Sequence, residues 1–265
     1  MRLVDTHCHL DEYEDVSSIL EHARERGVEK VLAVAMGVES QSIVLKLARA
    51  HREVEAALGV HPGQVGNLGD RLPGVLDFIR KHAKEIAAIG EVGLDHHFVR
   101  QRDLWPLQDR VFDEMLSLAE QFELPVTLHV KGAEREAFEA LEGRDLPGVA
   151  IHWYTGPEDL VKEGVDRGYF FSVTPAVRYS RPMRRTVELT PVEHLLLETD
   201  GPVEYQGMPG RPGDVVDVLA WVAEIKGVGA SELADVVMAN AQTCFPRLVR
   251  NVGRTGPARS AEGVG

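Results

Sequence analysis

The chain has 265 residues, 44% of them hydrophobic, with 29 basic against 42 acidic side chains for a formal net charge of −13. That balance argues against nonspecific nucleic-acid binding through a broad basic surface, whose affinity comes from neutralising phosphates. No apolar run approaches the roughly 18 residues of a membrane span, and two distant cysteines, Cys8 and Cys244, argue against a disulfide framework or a Cys-x-x-Cys zinc site.

The chain opens on apolar residues without a basic stretch before them, so no signal peptide is read and a cytoplasmic location is expected. Residues 2–9 predict a first strand, followed by a helix at 16–26 with Val16, Ile19, Leu20 and Ala23 on one face and Gly27 as its stop. A strand at 30–36, a helix at 40–51, a strand at 54–61 and a helix at 72–84 repeat the alternation. It continues as a strand at 86–94, a helix at 104–122, a strand at 125–130, and a helix at 134–141. Strands at 149–153, 169–174 and 194–199 are separated by helices at 158–167 and 181–189, and helices at 213–226 and 231–249 close the series.

The strands are nearly continuous in Val, Ile, Leu and Ala, as parallel strands buried on both faces require. Eight βα units predict a single-domain α/β fold, a (β/α)8 TIM barrel spanning 1–250, with 251–265 a weakly ordered tail. A doubly wound open sheet is the alternative, but it would carry a Gly-rich phosphate loop after its first strand, and none is present.

Active sites of such barrels lie at the C-terminal ends of the strands, where this chain concentrates its polar residues. His7 and His9 alternate on the first strand and so share one face, while Cys8 between them faces the other way. Later strands end in His61, Glu91 and Asp95, His129, His152, and Glu198 with Asp200. This mixture of imidazole and carboxylate donors suits zinc, manganese or related divalent ions, and one carboxylate can bridge two of them.

Five segments carry a resemblance over nearly the whole chain: Asp5-Thr6-His7-Cys8-His9-Leu10, Gly59-Val60-His61-Pro62, Gly90-Glu91-Val92-Gly93-Leu94-Asp95, Pro125-Val126-Thr127-Leu128-His129 and Leu197-Glu198-Thr199-Asp200-Gly201-Pro202. In this order they resemble the TatD family of metal-dependent hydrolases, within the amidohydrolase-like barrels. The resemblance implies two divalent metal ions (Zn, Mn or Mg): one held by His7, His9 and Asp200, the other by His129 and His152, with Glu91 bridging. It also implies metal-dependent DNase activity, with DNA bound at the metal cleft; no membrane partner is expected, since no apolar run is long enough to span one.

In that setting Asp200 is expected to bind metal and to orient or deprotonate the attacking water, and Glu91 and Asp200 form the catalytic pair. Glu198, two residues earlier, is read as the carboxylate that orients a ligand histidine. His61 and Asp95 are candidate contacts to the substrate phosphate or to ligand side chains, Lys131 is a candidate phosphate contact, and Arg211 stands for the substrate-binding arginine that usually follows the last ligand. Three departures from the family pattern stand out: His152-Trp153-Tyr154-Thr155-Gly156 for the usual His-Cys-Phe-Ser-Gly, Val130-Lys131-Gly132 for Ser-Arg-Asp, and Gly201-Pro202-Val203-Glu204-Tyr205 for an aromatic and basic loop. Hydrolysis of a small ester, amide or lactone, and a non-catalytic metal-holding role, are the alternatives. His96 and His97 read as surface loop residues, Trp105 and Trp221 as helix-face core, and Trp153 and Tyr154 as stacking or packing aromatics at the barrel mouth.

Overall fold

The computed structural model describes residues 1–249, so the tail expected at 251–265 lies outside the described residues. Eight parallel strands form one sheet in sequence order: β1 (Leu3–Cys8), β2 (Val28–Val34), β3 (Val54–Leu58), β4 (Ala88–Asp95), β5 (Val126–Lys131), β6 (Val149–Ile151), β7 (Phe170–Val173) and β8 (Leu195–Leu197). Around them run α1 (Val16–Glu25), α2 (Val38–Ala50), α3 (Leu72–His82), α4 (Trp105–Gln121), α5 (Glu134–Ala140), α6 (Glu158–Asp166), α7 (Arg181–Leu189), α8 (Val215–Lys226) and α9 (Ala230–Cys244).

The ring closes between β1 and the residues after β8. The Asp200 N–H donates to the His7 carbonyl at 2.9 Å and the His9 N–H to the Gly201 carbonyl at 2.8 Å. The buried Asp5 carboxylate accepts from the Thr199 N–H at 3.0 Å and from the Thr199 hydroxyl, which sews the seam from the inside. The eight strands with intervening helices are the expected (β/α)8 barrel.

Strand parity divides the apolar core in two. Val31, Ala33, Leu58, Val126, Leu128, Val149, Ile151, Phe171 and Leu195 meet the helices, while Leu32, Val34, Ala57, Ala88, Ala150, Phe170 and Leu196 fill the barrel interior. The period of two then carries Thr127, His129, His152 and Glu198 to the interior face as well. Burying each large aliphatic side chain stabilises the fold by roughly 1.5–3 kcal/mol. Cys244, Phe245 and Leu248 join the interior cluster, and the Cys244 carbonyl lies against Gly148, where a Cβ would come within 2.4 Å. Since Gly148 precedes β6, the chain after α9 plugs the N-terminal end of the barrel and leaves the polar chemistry to the opposite mouth.

Helix ends follow local chemistry. The Asp15 carboxylate accepts from the Ser18 N–H at 3.0 Å to start α1, and Gly227 at φ 66° ends α8 in the left-handed conformation that favours glycine. Some features differ from the expectations. The last helix ends at Cys244 rather than 249, because Pro246 disfavours helical geometry at Phe245 and cannot donate itself. β3 ends at Leu58, and His61 instead caps a 3-10 turn over Pro62–Asn67, its Nδ1 accepting from the Gly63 N–H at 3.0 Å. A two-stranded hairpin, β9 (Glu204–Tyr205) and β10 (Met208–Pro209), follows the last barrel strand, turning at Gln206 and Gly207, both with positive φ. No helix among the described residues is long and apolar enough to cross a membrane.

Candidate metal centre

His7 and His9 enter the barrel mouth from β1, each with one ring nitrogen committed to the protein. His7 Nδ1 lies 3.2 Å from Thr127 Oγ1, which turns Nε2 to within 3.3 Å of Glu91 Oε2 and 3.7 Å of Asp200 Oδ1. His9 Nδ1 lies 2.9 Å from the Val34 carbonyl oxygen, an acceptor only, so this nitrogen carries the hydrogen. Its Nε2 is thereby freed toward Asp200 Oδ1 at 3.3 Å and Glu91 Oε2 at 3.5 Å.

Glu91 turns its other oxygen to a second group of histidines. Oε1 is 3.0 Å from His129 Nδ1, 3.7 Å from His61 Nε2 and 3.9 Å from His152 Nε2. The close approach of β4 to β5 makes this reach possible: at Gly90 and Gly93, both with positive φ, an added Cβ would fall 2.1 Å from Thr127 Cγ2 and 2.0 Å from the His129 carbonyl oxygen. His129 Nε2 lies 3.0 Å from Asp95 Oδ2. His152 Nδ1 lies 2.8 Å from Glu198 Oε1, without hydrogen-bond alignment, while the same oxygen accepts from the Trp153 N–H at 3.0 Å. The His7 and His152 rings stack at 3.9 Å, so the two groups of histidines form one cluster.

The electrostatics of the cluster are unbalanced. Glu91, Asp95, Glu198 and Asp200 are all buried, and among the described residues their ion-pair partners are histidines only. Burial would raise the Glu91 and Asp200 carboxyls, but the surrounding imidazoles overcome it and hold both below the usual carboxylate range. Burial would likewise lower the histidines, yet the Asp200 hydrogen bond and charge, with Glu91, raise His9 to about 10. Glu198, Asp200 and Glu91 raise His152 to about 9 against the same desolvation. His7 goes the other way, lowered by burial and by the neighbouring His152, and its buried Nε2 has no hydrogen-bond partner.

A buried imidazole nitrogen without a hydrogen-bond partner, beside carboxylate oxygens that among the described residues pair with no lysine or arginine, fits a divalent cation. The groups His7–His9–Glu91, His7–His152–Glu198 and His61–Glu91–His129 each bring three donor atoms within 4.8 Å of one another and could hold such an ion. Asp200 faces the first of these and sits at φ 48°, a left-handed conformation uncommon for aspartate and kept by the surrounding structure.

Structure thus brings His7, His9, Glu91, His129, His152 and Asp200 together, with Glu198 behind His152. Asp95 and His61 border them, Asp95 through its contact with His129. Lys131 is elsewhere engaged: its ammonium donates to the Trp153 carbonyl at 2.6 Å and to Thr155 Oγ1 at 3.1 Å, tying down the loop after His152. Arg211 pairs with Asp214 at 3.6 Å, while its backbone N–H donates to the same carboxylate. Three contributors had no sequence signal beyond their position: Thr127, the Val34 carbonyl, and Tyr205, whose hydroxyl donates to the Thr199 carbonyl at 2.8 Å and pins the turn before Asp200. Tyr154 is fully buried and donates to the Pro157 carbonyl, whereas Trp153 lies at the mouth beside Tyr205.

The model of the family described as TatD related DNase matches residues 4–246. "Uncharacterized metal-dependent hydrolase YjjV" of Escherichia coli (strain K12) is 32% identical over 92% of this chain and 98% of its own length. Its crystal structure superposes with a TM-score of 0.83 over 92% of this chain and 98% of that one. "Deoxyribonuclease TATDN3" of Homo sapiens is 31% identical over 93% of this chain and 95% of its own. A TatD-family hydrolase structure from Entamoeba histolytica, 18% identical with a TM-score of 0.81 over 92% of this chain and 98% of its own, shares the fold. With the family model matched almost end to end on a barrel whose mouth gathers these histidines and carboxylates, the chain belongs to the TatD-related DNase family.

Proposed function

We propose that this protein is a metal-dependent phosphodiesterase that cleaves DNA at a site for two divalent ions. One observation carries the reading: the two oxygens of Glu91 face different histidines, Oε2 lying 3.3 Å from His7 Nε2 and Oε1 lying 3.0 Å from His129 Nδ1. His7, His9 and Asp200 would hold one ion, His129 and His152 the other, and Glu91 both. The name of the human relative supports DNA as the substrate class. Bound there, the ions would polarise the phosphoryl group and lower the pKa of a bound water.

The chain's own residues divide the remaining work. Asp200, kept ionised by the imidazoles around it, presents Oδ1 to His9 and Oδ2 to His152 at 3.7 Å, so it can orient a water and accept its proton. Thr127 and the Val34 carbonyl fix the ring orientations of His7 and His9, Asp95 does the same for His129, and Glu198 sets its charge beside His152. Lys131, bonded to the loop after His152, steadies that loop.

Incubation of the metal-loaded protein with single-stranded and recessed DNA tests the proposal, with Asp200→Asn as control. Cleavage by the parent protein and its loss in the variant are expected; equal background in both would reject it. A second reading, hydrolysis of a small ester, is favoured by the engagement of Lys131 away from the substrate space. A panel of phosphodiester and carboxyl-ester substrates separates the two.

A further inference from the structure

Beside the histidine cluster the barrel mouth opens into a cleft of about 550 Å³, a volume typical of small-molecule sites. Its inner end is formed by His61, Asp95 and His129, and its outer wall by Phe98, Val99 and Leu104. Phe98 is 70% exposed, an unusual place for a phenyl ring in a segment whose backbone is firmly held. Asp95 Oδ1 accepts from the N–H of His97 at 2.9 Å and of Phe98 at 2.7 Å, while Oδ2 of the same carboxylate meets His129. Further along, the Trp105 indole donates to the Val99 carbonyl at 2.9 Å and its ring stacks on His96 at 3.8 Å. The ring of Phe98 is therefore presented by a loop that is already ordered and linked, through one carboxylate, to a ligand histidine.

The chemistry of the cleft narrows its occupant. Among the described residues no lysine or arginine lines it, so they offer a run of phosphates no cationic side chain. It offers an aromatic face, aliphatic walls, and the neutral amides of Asn67 and Gln101, which can donate to and accept from a heterocycle's edge. Negative charge on a substrate has its place at the inner end, beside the carboxylate and imidazole cluster where cations fit.

We propose that this cleft seats one uncharged nucleobase next to the scissile phosphodiester, stacked on Phe98, and so makes Phe98 a specificity-determining contact. The inference rests on the phosphodiesterase reading above and adds to it the position of the base. Stacking on an aromatic ring tolerates any base, so the contact selects for nucleotides over other phosphodiesters rather than for a sequence. Ordering of the loop in advance removes part of the entropy that binding would otherwise cost.

The test compares the p-nitrophenyl ester of thymidine monophosphate with methyl p-nitrophenyl phosphate, which carries no base, on the metal-loaded protein. Phe98→Ala is expected to lower the ratio of kcat/KM for the two by roughly ten-fold or more, the weight of one base–aromatic stack. Phe98→Trp should keep the ratio. A ratio unchanged in Phe98→Ala, whether the individual rates hold or fall together, overturns the proposal. Calorimetric titration with thymidine monophosphate and with inorganic phosphate gives a readout independent of turnover. The preference for nucleotide over phosphate should vanish in Phe98→Ala and survive in Phe98→Trp; the same preference in all three proteins overturns it. Should the parent protein hydrolyse neither diester, the phosphodiesterase reading fails, and the two titrations still decide whether the cleft takes a base.

Discussion

The two halves of the histidine cluster are held by different means. On the β1 side, His7 and His9 are oriented by neutral groups, the Thr127 hydroxyl and the Val34 carbonyl. Across Glu91, His129 and His152 are backed by carboxylates, Asp95 at 3.0 Å and Glu198 at 2.8 Å. A carboxylate behind an imidazole raises its basicity and places negative charge near the ion it would bind, whereas a neutral partner fixes only orientation. The β1 half instead obtains its charge directly, from Asp200 Oδ1 at 3.3 Å from His9 Nε2. Both halves face Glu91 and Asp200, but only the second has further carboxylates behind its histidines. On the proposed reading, proton handling falls to the first half and holding power to the second.

Removal of the forward carboxylate should do the most damage. Asp200→Asn is expected to lower kcat on a phosphodiester by about 10²–10⁴-fold, the usual weight of a general base, with the fold intact by circular dichroism. A loss confined to KM would reverse the assignment. Next in size is the backing carboxylate. Glu198→Gln and Asp95→Asn should each weaken metal binding by roughly 10–100-fold, while Thr127→Val should cost less than either. Equal losses in all three, measured by metal titration, would erase the distinction between the halves.

Chelation acts on both halves together. Four buried carboxylates with histidines as their partners lose compensation when cations leave, so metal at about a hundred times its Kd should stabilise the fold by roughly 2.7 kcal/mol. For a chain of this size that corresponds to a Tm shift of roughly 5–10 °C, read by scanning calorimetry with and without chelator. An unchanged Tm would mean that the cluster is satisfied without ions.

Most of the barrel was legible in the sequence because parallel strands buried on both faces leave near-continuous apolar runs, as at Val54–Leu58 and Phe170–Val173. His7, His9 and His129 were legible for a related reason: period-two alternation points a polar residue at a strand end into the mouth. The misplaced end of α9 reflects an apolar pattern, Phe245, Leu248 and Val249, that continues past Pro246 because those residues plug the barrel rather than extend the helix. Thr127 and Val34 were invisible as orienting groups, since a backbone carbonyl has no sequence signature and a strand threonine is ordinary. Lys131, a candidate phosphate contact by its position after His129, is bonded to the loop it faces across the mouth, a partner set by tertiary approach over 22 residues.

A smaller effect concerns protons. His9 at about 10 and His152 at about 9 hold their protons at neutral pH in the ion-free protein, because Asp200, Glu198 and Glu91 stabilise the charged rings against desolvation. A metal ligand must be a neutral imidazole, so each ion that enters displaces protons. Apparent metal affinity should therefore rise with pH through the neutral range and fall as pH drops. Calorimetric titrations in buffers of different ionisation enthalpy would count the protons released; none released would contradict these raised values.

The bridging role of Glu91 is the central claim, and anomalous scattering from crystals grown with manganese or zinc tests it most directly. Two peaks are expected, one beside His7 and His9 and the other beside His129 and His152, with one oxygen of Glu91 directed to each. A single peak in catalytically active protein, or two peaks that do not share Glu91, would contradict it.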